Sequence, residues 1–483
     1  KERFLDEQRK SANDQEAQIL KEKLEYRRRR ANVIEAHVIA SMYLTLCVNT
    51  DGKVKSTPIQ NDKYNIYNNG FNTCVSWSDE FPISLLVEGY ENIVGINAED
   101  GSLFFTKTRD NEIKHFPWYE MKKWKNIDTF RSVGYGLYCG LTRDGTVVVA
   151  GKIDPSKYSG QDQVEGIDSI IKIVGLYCGR LLLLRNDNTL AATAFTGDKD
   201  GNQWDEMSKW KNIIDTYHAS KRVIGIQKGG TLISTSFSEE EPNKTGWKEA
   251  SAWTDIVQIR KLKSGRYIGL TAYGRVLITQ KRDDAEIDDS AYDIVETWDN
   301  IVKIYIQNGY IAGLKLDGKV VHTEYIGAPE DAKPLAMDTQ LWSDVVALSF
   351  GYHHTVAVKT DGTFRATNAP DKDHGQTYVH HLNTLFHNYD TVIEEYDNMV
   401  RTAQQTAKRK EEMNKQASER AEAERKRAEA DRKLKAEKAE PLIIEKNHLL
   451  VEQSKLSGLF AGKRRKEIQA RLAEIDVELK KLG

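Results

Sequence analysis

The sequence is poor in the residues that build metal or disulfide frameworks. It has four cysteines, Cys47, Cys74, Cys139 and Cys178, set far apart with no Cys-x-x-Cys pair. That spacing excludes an ordinary zinc knuckle and a disulfide scaffold, so the thiols read as buried strand residues. No apolar run approaches the ~18 residues that span a bilayer, so no membrane-crossing helix is expected. The first residues, Lys1 onward, lack the basic start, apolar middle and small-residue site of a secretory leader, and a cytoplasmic location is the expectation. Charge of one sign is also missing. With 70 basic against 72 acidic residues there is no electrostatic case for a nucleic-acid or anionic-membrane partner. No P-loop, Gly-x-Ser-x-Gly, His-Glu-x-x-His or dinucleotide fingerprint is present, and no catalytic residue, cofactor or metal ligand is predicted. The acidic stretch Asp283, Asp284, Glu286, Asp288 and Asp289 lacks the glycine-spaced order of a calcium loop.

What the chain has is repetition. Turn-like pairs recur at Asp51-Gly52, Asp100-Gly101, Asp144-Gly145, Asp187-Asn188, Gly229-Gly230, Tyr273-Gly274, Asp317-Gly318 and Asp361-Gly362, every 42 to 49 residues. A second marker keeps the same beat, at Trp77, Trp124, Trp210, Trp253, Trp298 and Trp342, with Ile167 in the slot of the missing tryptophan. Asp-Gly and Gly-Gly suit a two-residue hairpin in which both positions have positive φ. Apolar strands precede the turns, as in Thr355-Val356-Ala357-Val358, and a Trp-x-Asp/Asn-Ile/Val phrase opens each next unit. A unit of ~43 residues holds about four short strands, cannot bury both faces alone, and reads as a propeller blade. His353-His354 and His380-His381 pair in sequence, but a strand sends adjacent side chains to opposite faces, so His353-His354 reads as a repeat position.

Two phrases carry a specific resemblance. Gly351-Tyr352-His353-His354-Thr355-Val356-Ala357-Val358-Lys359-Thr360-Asp361-Gly362 and Gly134-Tyr135-Gly136-Leu137-Tyr138-Cys139-Gly140-Leu141-Thr142-Arg143-Asp144-Gly145 resemble the repeat of the regulator of chromosome condensation family, as do Gly160-Gln161 and Gly375-Gln376. The compact, Trp-led version is similar to the shorter bacterial members. The resemblance implies a mainly β fold with a seven-bladed ring, whereas eight turns point to a possible eighth unit. Family activities include nucleotide exchange on a small GTPase, histone contact and β-lactamase inhibition. No residue specific to any of them is matched here.

Helices flank the ring in this reading. Residues 1–30 contain neither glycine nor proline, and Leu5, Ala12 and Ile19 at spacing seven make a narrow seam. Residues 31–377 form the propeller, 378–440 an amphipathic and then highly charged helix, and 441–483 a helical hairpin or coiled coil, with Pro441 interrupting or starting a helix. The expected function is a non-enzymatic protein–protein interaction module whose loops bind a protein partner while the terminal helices mediate assembly or homo-oligomerisation. The alternatives are a coiled-coil assembly protein with the propeller as spacer, or a regulator of a nucleotide-binding or hydrolytic partner. Candidate partner-binding residues are Trp118, Tyr119, Trp204, Asp283, Asp284 and Asp288, since aromatic and charged loop residues anchor interfaces. Lys463, Arg464, Arg465 and Lys466, a basic run without interrupting acids, are the candidate anion-binding residues.

Overall fold

The structure is a computed structural model. It describes residues 2–40, 45–57, 74–88, 93–106, 117–134, 137–151, 164, 167–177, 180–192, 206–219, 222–235, 246–281, 288–307, 309–324, 326, 342–351, 354–368, 379–382, 389–457 and 461–482. Two compact units divide the chain, residues 1–399 and 400–483.

In the first unit a helix, Glu2–Ala36, precedes eight three-stranded antiparallel sheets, each a meander in chain order. Sheet 1 is Val38–Ala40, Thr45–Val48 and Val54–Ser56, and sheet 2 is Ile83–Glu88, Ile93–Asn97 and Leu103–Phe105. Sheet 3 comprises Ile127–Gly134, Leu137–Thr142 and Val147–Ala150, and sheet 4 comprises Ile170–Tyr177, Arg180–Arg185 and Leu190–Ala192. Sheet 5 runs through Ile213–Ala219, Arg222–Gln227 and Leu232–Ser234, and sheet 6 through Ile256–Lys261, Tyr267–Thr271 and Val276–Ile278. Ile301–Gln307, Tyr310–Lys315 and Val320–His322 make sheet 7, and Val345–Phe350, His354–Lys359 and Phe364–Asn368 make sheet 8. Where the repeat length pointed to about four strands, three form in each sheet among the described residues.

The sheets close into a ring. Eight hydrophobic cores lie between successive sheets, and one of them joins Val38, Ala40 and Cys47 of sheet 1 to Val346, Val356, Val358 and Phe364 of sheet 8. Polar bonds finish that seam. Ser349 Oγ donates to Val38 O at 3.0 Å and accepts from the Ala40 N–H at 3.1 Å, and Thr45 Oγ1 lies 2.9 Å from His354 Nε2. The propeller therefore has eight blades. The seven implied by family resemblance gives way to one blade per hairpin turn.

One main-chain joint recurs around the ring. The first amide of each incoming sheet donates to the carbonyl of the preceding turn's second residue: Ile83 to Gly52, Ile127 to Gly101, Ile170 to Gly145, Ile213 to Asn188, Ile256 to Gly230, Ile301 to Gly274 and Val345 to Gly318, at 2.8–3.2 Å. At several of these turns the approach leaves room for glycine alone, whereas Asn188 makes the same joint with a side chain. A Cβ on Gly101 would lie 2.3 Å from the Ile127 nitrogen, and one on Gly230 2.3 Å from that of Ile256. The turns also differ from the two-residue form expected. Only the second residue has positive φ, except at Gly229-Gly230, and Gly145 N bonds Thr142 O while Thr142 N bonds Thr146 O. This is a type I turn followed by a left-handed residue, the three-residue hairpin. The aspartate serves as a local cap, Asp187 Oδ1 accepting from the Thr189 N–H at 2.9 Å and Asp361 Oδ1 from the Thr363 N–H at 2.9 Å.

The Trp-x-Asp/Asn phrase now has a reason as well. Its third residue is left-handed at Asn126, Asn212, Asp255, Asn300 and Asp344, with Ser169 in the same role, a conformation asparagine and aspartate tolerate. Five of the six tryptophans pack against a glycine of the middle strand, and Trp342 shares its core with Ala357 at the matching position. A Cβ on these glycines would come within 2.9–3.1 Å of the ring at Trp77–Gly95, Trp124–Gly140, Trp210–Gly225, Trp253–Gly269 and Trp298–Gly313. Sheet 4 has Ile167 for the tryptophan and, at the matching register position, Leu183 for the glycine, and the two share one core. A smaller residue on one side is answered by a larger one opposite. Cys47, Cys74 and Cys139 are buried, and burial pushes the Cys74 thiol up to about 12.

In the second unit the long helix Tyr389–Lys455 passes through Pro441 without a break. The proline removes one backbone donor, and the exposed carbonyl it leaves at Glu437 has access to water. A last helix, Ala461–Leu482, returns antiparallel, held by Arg471–Glu445, Arg464–Glu452 and Lys446–Asp476 pairs and by buried Ile468 and Ile475.

The tryptophan–glycine exchange is testable by urea denaturation. Gly269→Leu alone and Trp253→Ile alone should each cost about 1–3 kcal/mol, one by overpacking and one by a cavity. The double variant, which copies the Ile167/Leu183 arrangement, should recover ~1 kcal/mol or more of their sum. Strict additivity contradicts the pairing.

Candidate functional site

The first strands carry a second repeated feature. In sheets 2 to 8 the register skips one residue just after the strand begins, a β-bulge at Ser84, Asp128, Ile171, Ile214, Val257, Val302 and Val346. A bulge leaves one residue outside the ladder and aims it away from the sheet. Because the position is equivalent in each sheet, these residues make one row around the end of the ring where the hairpin turns lie.

The N-terminal helix sits on part of that row. Leu24 and Ala31 join the core that contains Val302, and Ile34 joins the core that contains Val346, so these two bulge residues are only 1% and 2% exposed. Arginines take the backbone beside them. Arg28 Nε donates to Val302 O at 2.9 Å, the carbonyl of the bulged residue, and Arg27 Nη2 donates to Val345 O at 3.3 Å. Lys21 lies 5.5 Å from the Tyr273 ring centre at the preceding turn, a cation–π contact.

A carboxylate from the helix completes one inter-sheet contact. Between sheets 4 and 5, Lys172 Nζ meets Asp215 Oδ1 at 2.7 Å from matching positions of neighbouring first strands. Between sheets 6 and 7, Gln258 bonds both the carbonyl and the amide of Ile304. In sheet 7 that position is Lys303, but sheet 8 offers Ala347, which has no acceptor. Glu35 of the helix supplies it, paired with Lys303 and accepting from the Tyr305 hydroxyl, while Asn32 Oδ1 accepts from Lys303 at 2.7 Å.

Burial governs the titration of this contact. Desolvation raises the Glu35 pKa above the ordinary carboxylate value against the opposing pull of Lys303, and it raises Tyr305 well above its ordinary value, helped by the Glu35 charge. Burial lowers Arg28 to about 10 and lowers Arg27. It also lowers His37, whose Nδ1–H donates to Val33 O at 2.7 Å.

Sequence reasoning missed the bulge row, because no residue type marks it: Ser, Asp, Ile and Val all occupy it. The residues singled out by sequence fall elsewhere. Trp118 and Tyr119 open the helical turn Trp118–Met121, with Tyr119 68% exposed. Asp288 is exposed, pairs with Lys281 and accepts from the Ser290 N–H and hydroxyl, contacts that hold its carboxyl well below the usual range. Trp204, Asp283 and Asp284 lie outside the described residues. His353 does too, whereas His354 is buried at the ring seam. His380 and His381 belong to the helical turn Val379–Leu382. Of the basic run, Arg464 is held in a two-bonded pair by Glu452 at 2.8 and 3.2 Å, and Arg465 Nη2 donates to Leu456 O at 2.6 Å. Lys463 and Lys466 are exposed on the last helix. No group of three or more His, Cys, Asp and Glu side chains poised for a metal occurs among the described residues. No described helix is long and apolar enough to cross a membrane.

No family model matches this chain, and no curated protein sequence does. Among solved structures, Prp20p from Saccharomyces cerevisiae, a protein characterised for binding Gsp1p and histones, is 11% identical, over 70% of this chain and 83% of its own, with a TM-score of 0.31. The C-terminal domain of gp131 from bacteriophage phiKZ is 10% identical over 71% of this chain and 95% of its own, with a TM-score of 0.34. The ectodomain of the Physcomitrella patens receptor kinase CR4 is 11% identical over 60% and 73%, with a TM-score of 0.33. At these scores the architecture stands on the eight joined sheets themselves.

The titration of the helix contact gives a signed expectation. His37, lowered when folded, contributes stability that is complete above about pH 6.5 and is lost as pH falls through that region. Glu35, raised when folded, acts oppositely, its contribution being lost as pH rises from about 4.5. Thermal melts from pH 7.5 to 5 should therefore show a shallower acid loss in His37→Phe and a steeper one in Glu35→Gln. Slopes that move in the same direction contradict these assignments.

Proposed function

We propose that this protein is a non-enzymatic protein-interaction module in which the ring binds a protein partner and the C-terminal helices mediate assembly. One observation carries the reading. The ring's seven recurring joints are main-chain to main-chain, and the connectors between sheets bury only part of their length in the cores, for example at Met121, Trp124, Ala250, Tyr292 and Val295, while Tyr119 and Asp288 stay exposed. Connectors such as residues 106–126, 235–255 and 279–300 run from each third strand to the next sheet, and they carry Tyr119, Asp288 and the stretch around Asp283 and Asp284. A rigid frame with loops free to vary is the arrangement that binding proteins use. Trp118, Tyr119, Trp204, Asp283, Asp284 and Asp288 remain the proposed partner-contacting residues, and Lys463, Arg464, Arg465 and Lys466 the proposed anion contact, with Arg464 the least available of these.

A second role, assembly through the helices, is favoured by a specific observation. The C-terminal hairpin leaves Ile443, Ile444, Leu450, Val451 and Val477 exposed, an apolar surface of the kind that a partner helix covers.

Affinity capture from the native host, with the full chain and a chain ending at residue 388 as baits, separates the two roles when light scattering gives the mass of each. The reading predicts that both baits retain the same partner and that only the full chain self-associates. A partner retained by the full chain alone contradicts it and moves the binding to the helices.

A further inference from the structure

The row of bulge residues is apolar over five consecutive sheets, and the N-terminal helix covers only two of them. Around the ring it reads Ser84, Asp128, Ile171, Ile214, Val257, Val302 and Val346. Val302 and Val346 lie under the helix, whereas Ile171 and Ile214 are 53% and 42% exposed and Val257 is half-buried. Large β-branched residues left in water beside an occupied stretch of the same row are unusual for a surface that meets nothing. We propose that Ile171, Ile214 and Val257 form a docking site for a basic amphipathic helix of a partner protein, bound as the chain's own N-terminal helix is bound on sheets 7 and 8.

The resident helix shows what such an occupant needs. It sets Leu24 and Ala31 against the bulge of sheet 7, Ile34 against that of sheet 8, and Arg27 and Arg28 on the backbone carbonyls beside them. Sheets 4 and 5 repeat the main-chain arrangement: the register skips Ile171 and Ile214 as it skips Val302 and Val346, so the carbonyls of Ile171 and Ile213 stand where those of Val302 and Val345 meet arginine. An arginine pair placed there would meet the same main-chain positions.

The charges around the arc include those met by the resident helix, and they set the partner's sign. The turn before sheet 7 presents Tyr273 to Lys21 and the turn before sheet 8 presents Asp317, whose charge acts on Arg27, while the turns before sheets 4 and 5 present Asp144 and Asp187. Bonds from Thr142 and Thr146 hold the Asp144 carboxyl below the usual range, so it stays ionised at neutral pH. Asp128 flanks the arc on the sheet 3 side near Arg143, and desolvation raises its pKa, so it adds less negative charge than Asp144. No acid is needed from the occupant, because Lys172 already has Asp215 where Lys303 needs Glu35. A helix with apolar residues at spacing seven, arginines between them and lysine rather than glutamate at its ends meets all of these groups. The proposal rests on the binding reading above and names one surface within it.

The test uses the full chain and a fluorescein-labelled synthetic peptide of residues 17–36 carrying Glu35→Lys, read by fluorescence anisotropy. Saturable binding is expected, at least ten-fold weaker in the double variant Ile171→Asp/Ile214→Asp. That variant changes only exposed side chains, so its melting temperature should match the parent's. A scrambled peptide of the same composition should bind at least ten-fold less tightly than the native order. Equal binding by the double variant overturns the proposal, as does equal binding by the scrambled peptide. Absence of peptide binding overturns it as well. So does a concentration-dependent dimer of the unvaried chain that the double variant abolishes, since the arc would then serve a second copy. If the host partner of the full chain is still captured by the double variant, the binding reading survives and this surface is excluded from it.

Discussion

Everything in the ring hangs on a single contact, the amide of one sheet's first residue against the carbonyl of the previous sheet's turn. At most turns glycine leaves room for it, and at Asn188 a left-handed residue with a side chain makes the same bond to Ile213 at 2.8 Å. At Gly101 and Gly230 a Cβ would lie 2.3 Å from the partner nitrogen, closer than any packing permits. Sheet-to-sheet spacing is set by this approach, and the spacing decides what fits between sheets. Five of the six tryptophans fill it by packing on glycine, and sheet 4 fills it with Ile167 and Leu183. A core made this way is eight similar cores in a circle, each shared by two sheets, and a change in one is felt chiefly by its neighbours.

The two ends of the propeller sequence do not make this joint. The first sheet follows a helix rather than a turn, so its meeting with sheet 8 uses side chains instead: Ser349 on Val38 and Ala40, and Thr45 on His354. The N-terminal helix reinforces the same region, bridging sheets 7 and 8 through Arg27 and Arg28 and supplying Glu35 where sheet 8 has only Ala347. The helix thus belongs to the ring's closure as much as to its surface, and its charges are partly buried for that reason.

Much of the fold was legible in the sequence, because the joint and the core leave a mark in every repeat. The turn pairs, the tryptophans and the substitution at Ile167 mark the blade period. The family resemblance implies seven blades with an eighth unit left open, and eight sheets form among the described residues. The same letters misled on detail. Asp-Gly looked like a two-residue turn, yet the aspartate is a local cap and only the glycine is left-handed, a distinction made by a backbone angle and invisible in composition. The site was less legible. A bulge is a register shift that needs no particular side chain, so Ile171 and Ile214 read as ordinary strand residues until the pairing was known. Within the basic run Arg27 to Arg30, Arg27 and Arg28 reach main-chain carbonyls far away in sequence, contacts that charge pattern alone does not mark. Pro441 looked like a break because its chemistry removes a donor, but in an exposed helix water takes the freed carbonyl.

Native-state hydrogen exchange at the seven joint amides, Ile83, Ile127, Ile170, Ile213, Ile256, Ile301 and Val345, tests the central claim most directly. A ring of eight sheets held by one repeated bond predicts that all seven are protected, each as strongly as the ladder amides of the sheets it joins. Free exchange at any of them while its flanking strands stay protected would mean that the ring is open at that joint, contrary to the account given.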